Sequence, residues 1–147
     1  MDGPRWLFDP AAARASVLAH RPPGCSAVTC VVSDAVWADV VALLRWADAG
    51  TRAPAPLAAG TWWRLASGCA ELLHRLPGMC AELGEPWGVQ GRPGEDELSV
   101  ERRLARATAR LSGLLRSPHP VPLRRLATEV DALGAAAIGA LVETGCP

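Results

Sequence analysis

Two apolar seams in the last third of the chain limit its fold more than any other feature. In "ELSVERRLARATARLSGLLRS", residues 97–117, Val100, Leu104, Ala107, Leu111 and Leu114 step alternately by four and three. The segment that follows repeats the pattern with Leu123, Leu126, Val130, Leu133, Ala137 and Ala140. Such 3-4 spacing puts one apolar stripe on each helix and packs two helices nearly antiparallel, at about 20°. "SPHPVP", residues 117–122, is short enough to join neighbours, and Pro122 is placed to start the final helix. Beyond Asp131 that helix is apolar on all sides until Glu143. It is therefore predicted to lie inside a bundle, with Gly134, Ala135 and Gly139 allowing close neighbours.

The preceding segments read as further helices. Asp9-Pro10 is an N-cap followed by proline at the first helical position, so a short helix is predicted over residues 10–20, stopped by "RPPG". Ahead of it, residues 1–9 form an arm whose Trp6, Leu7 and Phe8 look like a hydrophobic anchor. Residues 25–32, "CSAVTCVV", are small and β-branched, suited to an extended buried connector. Ser33 is placed to cap a second helix ending at Gly50, with Trp37, Val40, Val41, Leu44 and Ala47 on one face and Trp46 at its edge.

"TRAPAP" then reads as a linker, and a third helix is predicted from about Leu57, broken at Pro77-Gly78. Trp62, Leu65, Ala66, Cys69, Leu72, Leu73 and Leu76 form its core stripe, with Arg64, Ser67, Glu71 and Arg75 opposite. Residues 84–96 hold four glycines and two prolines, and are expected to form a flexible loop with Trp87 in it. The whole, residues 1–147, is expected to be one all-α domain: a bundle of about five helices with a central apolar C-terminal helix.

Composition narrows the function classes. Acidic and basic residues number 15 each, so net charge gives no signal for nucleic acid or an anionic membrane. Lys, Asn and Tyr are absent, while Gln90, Ile138 and Phe8 stand alone of their kinds. This is the bias of a GC-rich genome, suggesting a high-GC bacterium, with a GC-rich DNA virus second. Without lysine there is no Walker A lysine, no Schiff-base lysine and no lysine general base. No G-x-S-x-G, H-E-x-x-H, EF-hand loop or dinucleotide fingerprint occurs. No charged leader with an apolar run opens the chain, and its longest apolar run, residues 132–142, is too short to span a bilayer. The protein is expected to be cytoplasmic, its five cysteines reduced.

Five candidate sites follow. Trp46, Trp63 and Trp87, at face edges, suit a protein interface, since tryptophan is favoured at binding hot spots. Trp37, Trp62, Trp63 and Cys69 suit the wall of an apolar small-molecule pocket between helices. Arg103, Arg106 and Arg110 line a basic flank, with Arg102 beside them, which has the pattern of a phosphate or acidic-partner surface but is better read as a solvated face balanced by nearby carboxylates. A zinc site would need Cys25, Cys30, Cys69 and His74, with His20 and Cys80 as substitutes, but residues five apart on a helix do not converge. For acid/base work the candidates are Glu71 with His74, His20 and His119, with no nucleophile beside them. No cofactor, metal or nucleic acid is expected. The leading expectation is a non-enzymatic interaction protein, an adaptor, regulator or assembly subunit that associates with itself or a protein partner. A small-molecule-binding bundle is the alternative.

Overall fold

The structure is a computed structural model and describes residues 32–82, 89 and 94–144. Among them are four α-helices, one 3-10 turn and no strand. We label the helices α1 (Asp34–Arg52), α2 (Ala55–Glu82), α3 (Val100–Leu115) and α4 (Leu123–Glu143). The fold is all-α. The predicted helix over residues 10–20 and the N-terminal arm lie outside the described residues, so four helices stand where about five are expected.

Ser33 opens α1 as its spacing predicts, its hydroxyl accepting from the Val36 N–H. Ser99 does the same for α3 through the Arg102 N–H. Each satisfies one of the donors that a helix start leaves free. α1 does not stop at Gly50 but continues to Arg52, and the linker shrinks to Ala53 and Pro54. Within the helix, the absence of a side chain at Gly50 makes room for the Trp62 ring, which lies 2.7 Å from where a Cβ would be. The inward face of α1 also turns slightly from its expected position. Val36 and Leu43 are buried with Trp37, Val40 and Ala47, while Val41 and Leu44 sit at its edge.

The predicted break at Pro77 does not occur. Pro77 has no N–H to give the Leu73 carbonyl, a defect that costs about 3 kcal/mol in a helix interior. Leu76 and Cys80, 0% and 2% exposed, bury the same face on either side of it. That buried stripe carries α2 through the proline to Glu82.

The helices form a ring in which α1 touches α2 and α3, and α4 touches the same two. Close approaches fix their directions. Trp62 against Gly50, Leu43 against Gly68, and the Arg75–Asp39 ion pair at 2.5 Å make α1 and α2 antiparallel. Val100 against Gly139 and Arg110 bonded to Glu129 do the same for α3 and α4. The Val32 N–H donates to the Val121 carbonyl at 3.0 Å, so α1 and α4 start at one end of the bundle. The order is up-down-down-up, and the chain leaves α2 at one end and enters α3 at the other.

One hydrophobic core fills the ring. Leu65, Leu72, Leu76, Leu111, Leu126 and Leu133 are wholly buried, each contributing about 1.5–3 kcal/mol of transfer free energy. All six seam residues of α4 and three of the five on α3 are buried, with Val100 and Leu104 packed at the rim.

Candidate functional site

α4 is not enclosed on every side. Its inward face is buried from Leu123 to Ala140, but Ala135, Ile138 and Val142 on its outward face are exposed, the last two by 55% and 68%. The expectation of all-round burial fails for a geometric reason: in a ring of four helices each has two neighbours and a core, and one side remains open.

The open side of α4 continues onto α2. The position of a Gly134 Cβ lies 3.1 Å from the Cys69 Cβ, which sets the register of this antiparallel pair. Trp63, six residues before Cys69, then comes level with the turn from Ile138 to Val142. On α2, Trp62 points into the core and Arg64 toward α1, where its guanidinium lies over the Trp46 ring at 5.1 Å. Trp63 lies between them on the outer flank facing α4, 60% exposed. Leu57, one and a half turns earlier, is 70% exposed, and exposed Gly60 lies between the two. No atom lies within 4 Å of a Cβ built on Gly60. A glycine inside a helix costs about 1 kcal/mol relative to alanine, and nothing in the described bundle uses the space it leaves.

Trp63, Ile138 and Val142 thus lie together near the end of the bundle where α1 turns into α2, whereas Leu57, seven residues before Arg64, shares the α1 side of its helix. The three on the α2–α4 side amount to on the order of 350 Å² of exposed apolar side chain, within the range of patches that mark binding surfaces.

The other predicted sites are distributed differently. Trp46 is half-buried and its face carries Arg64, a cation–π contact. Trp87 lies outside the described residues. Trp37, Trp62 and Cys69 are all buried within the packed core, Trp62 on Gly50 and Cys69 against Gly134. Of the basic flank, Arg106 is exposed and Arg103 is half-buried beside Gly139.

Arg110 is turned inward. Its Nε donates to Glu129 Oε1 at 2.8 Å and one terminal nitrogen donates to Glu95 Oε1 at 2.6 Å. Burial acts to lower the pKa of this guanidinium, but the hydrogen bonds and charges of both carboxylates outweigh it and hold the value above the ordinary one. Glu129 is the buried charged residue of the described core, 3% exposed. Glu95 belongs to a 3-10 turn, Glu95–Glu97, in the segment expected to be a flexible loop. Gly94 enters that turn with φ 79°, the left-handed region that glycine adopts without strain. Sequence reasoning missed this tether, whose three residues lie 15 and 19 positions apart on three elements.

The chemical candidates do not assemble among the described residues. Burial, and then the nearby Asp131 charge, push the Cys69 thiol up to about 12, so it is not a nucleophile at neutral pH. His74 and Glu71 are exposed on α2, and His119 is exposed in the α3–α4 turn. No group of three or more His, Cys, Asp or Glu side chains that could hold a metal occurs among the described residues. Cys25, Cys30 and His20 lie outside them. None of the described helices is long and apolar enough to cross a membrane. No family model, curated protein or solved structure matches the chain.

Proposed function

We propose that this is a non-enzymatic interaction protein, an assembly subunit or adaptor that works through the outer face of α2 and α4. The observation that carries the reading is the placing of Trp63, Ile138 and Val142, each more than half exposed, at one end of the α2–α4 face. Exposing such side chains is costly to solubility, and a contiguous group of them is characteristic of a surface that a protein partner covers. Tryptophan adds a large rigid contact at small entropic loss. Arg64 on Trp46 and the inward-turned Arg110 on its two carboxylates are engaged within the bundle.

Light scattering of the full chain over a hundredfold concentration range tests the reading. The expected result is a mass above 15.4 kDa that rises with concentration, or a stoichiometric protein partner retained from a lysate of the source. A mass fixed at that of one chain, with no partner retained, overturns it.

A further inference from the structure

We propose that the α2–α4 face has a cover within its own chain: with no partner bound, Trp6, Leu7 and Phe8, which lie outside the described residues, seat against Trp63, Ile138 and Val142, and a partner must displace them. This rests on the reading of the chain as an interaction protein and adds the regulation of that surface.

The size of the face selects a tethered occupant. Trp63, Ile138 and Val142 offer on the order of 350 Å² of apolar surface. A stable contact between two free proteins buries about 800 Å² on each, roughly 60% of it apolar, or on the order of 500 Å². The face is therefore short for a lasting contact between two chains and suits a transient one, which leaves it bare whenever the partner is away. A segment of the same chain meets it at an effective concentration on the order of a millimolar, so a few large side chains suffice.

Chain length selects the segment. The Val32–Val121 bond places Val32 at the end of the bundle where α1 and α4 start. Trp62 against Gly50 puts Trp63 level with Ala49 of α1, about 25 Å along the bundle from Val32 at 1.5 Å per residue. Between Phe8 and Val32 stand residues 9–31, which reach farther than this even with residues 10–20 helical, at about 16 Å for that helix and about 40 Å for the rest. The connection that follows α2 cannot serve. Glu82 lies about 28 Å from the level of Trp63, and the chain advances at most about 18 Å from there to Trp87. Residues 145–147, Gly-Cys-Pro, carry no large apolar side chain. Trp6, Leu7 and Phe8 are three such side chains in a row, two of them aromatic, and aromatic rings pair favourably with a tryptophan such as Trp63.

Fluorescence of 1-anilinonaphthalene-8-sulfonate tests the assignment, measured with full-length wild type, with Trp6→Ser/Leu7→Ser/Phe8→Ser, and with that triple variant carrying Trp63→Ala and Ile138→Ser. The triple variant is expected to bind the dye about threefold more than wild type with unchanged helical circular dichroism, and the two further changes are expected to remove the gain. Phe8→Ser alone, a milder change, is expected to give part of that gain, which keeps the test decisive if the triple variant loses helix. Dye binding that neither variant raises above wild type overturns the cover. A gain that survives Trp63→Ala and Ile138→Ser puts the segment elsewhere and likewise overturns it. A wild-type dimer that Trp63→Ala dissociates gives the face to a second copy, with the same consequence. The dye response needs no partner, so the expected gain in a chain that neither self-associates nor retains a partner overturns the interaction reading while the cover stands.

Discussion

The two flanks of α4 are closed in different ways. Toward α3, Gly139 admits Val100, and the Arg110 guanidinium joins the buried Glu129 to Glu95 of the 3-10 turn, so the chain covers this flank itself. Toward α2, the more deeply buried Gly134 admits Cys69, but further out Trp63 and Ile138 face solvent. Both flanks are built on the same helix by the same small-residue device. They differ in what covers their outer rim: a segment of the same chain on one, and on the other nothing among the described residues. The comparison separates surface that holds the fold from surface left for another molecule, a separation that apolarity alone does not make.

Removing Arg110 is the most damaging way to break the comparison. Arg110→Ala takes the guanidinium from a carboxylate 3% exposed, and is expected to cost about 3–5 kcal/mol in urea unfolding. Arg110→Met with Glu129→Leu and Glu95→Leu removes the charges together and should recover much of that loss, since a buried ion pair is often replaceable by apolar groups.

Overpacking either flank comes next. Gly139→Leu and Gly134→Leu each force a side chain into space held by Val100 or Cys69, and are expected to lower the unfolding free energy by about 1–3 kcal/mol. A neutral outcome for both would show that α4 shifts freely between its neighbours, and would remove the registration argued from those contacts.

A smaller effect is expected from the Cys69 thiol. Its pKa rises from 9.0 in the unfolded chain to about 12 in the fold, so the native state retains a proton that the unfolded state loses. Its contribution to stability is complete below pH 9 and declines as pH rises from about 9 to about 12. Cys69→Ala should flatten that part of the stability profile, and in wild type at pH 8 a thiol reagent should modify Cys69 no faster than the bundle opens. Modification at the rate of a free thiol would contradict the burial.

The smallest effect belongs to the open rim. Ile138→Ser, measured at a protein concentration low enough to keep chains apart, is expected to change stability by less than about 0.5 kcal/mol. A loss of more than about 2 kcal/mol would show that Ile138 is packed as firmly as the core and that the two flanks are alike.

Much of the helical plan is legible in the sequence. The α3 and α4 seams, the Ser33 cap and the inward position of Cys69 follow from local periodicity, which the structure has no cause to override. Pro77 reads as a break because its local cost is large, and only the burial of Leu76 and Cys80 against other helices outweighs it. The openness of Ile138 and Val142 could not be read at all. An all-apolar stretch carries the same letters whether it has three neighbours or two. The Arg110 tether was hidden for a related reason: arginines on one helix look like a solvated flank until distant carboxylates are placed against one of them.

The up-down-down-up order has a consequence for how the bundle comes together. α1 with α2, and α3 with α4, are each neighbours along the chain and meet after closing only a short turn, so each pair can form as a helical hairpin on its own. Joining the pairs requires the much longer connection between Glu82 and Val100 to span opposite ends of the bundle, and this is the slow, non-local event. Loop-closure entropy grows only as the logarithm of length, so doubling that connection would cost about 0.6 kcal/mol. The protein should therefore tolerate insertions between its two hairpins far better than within either of them.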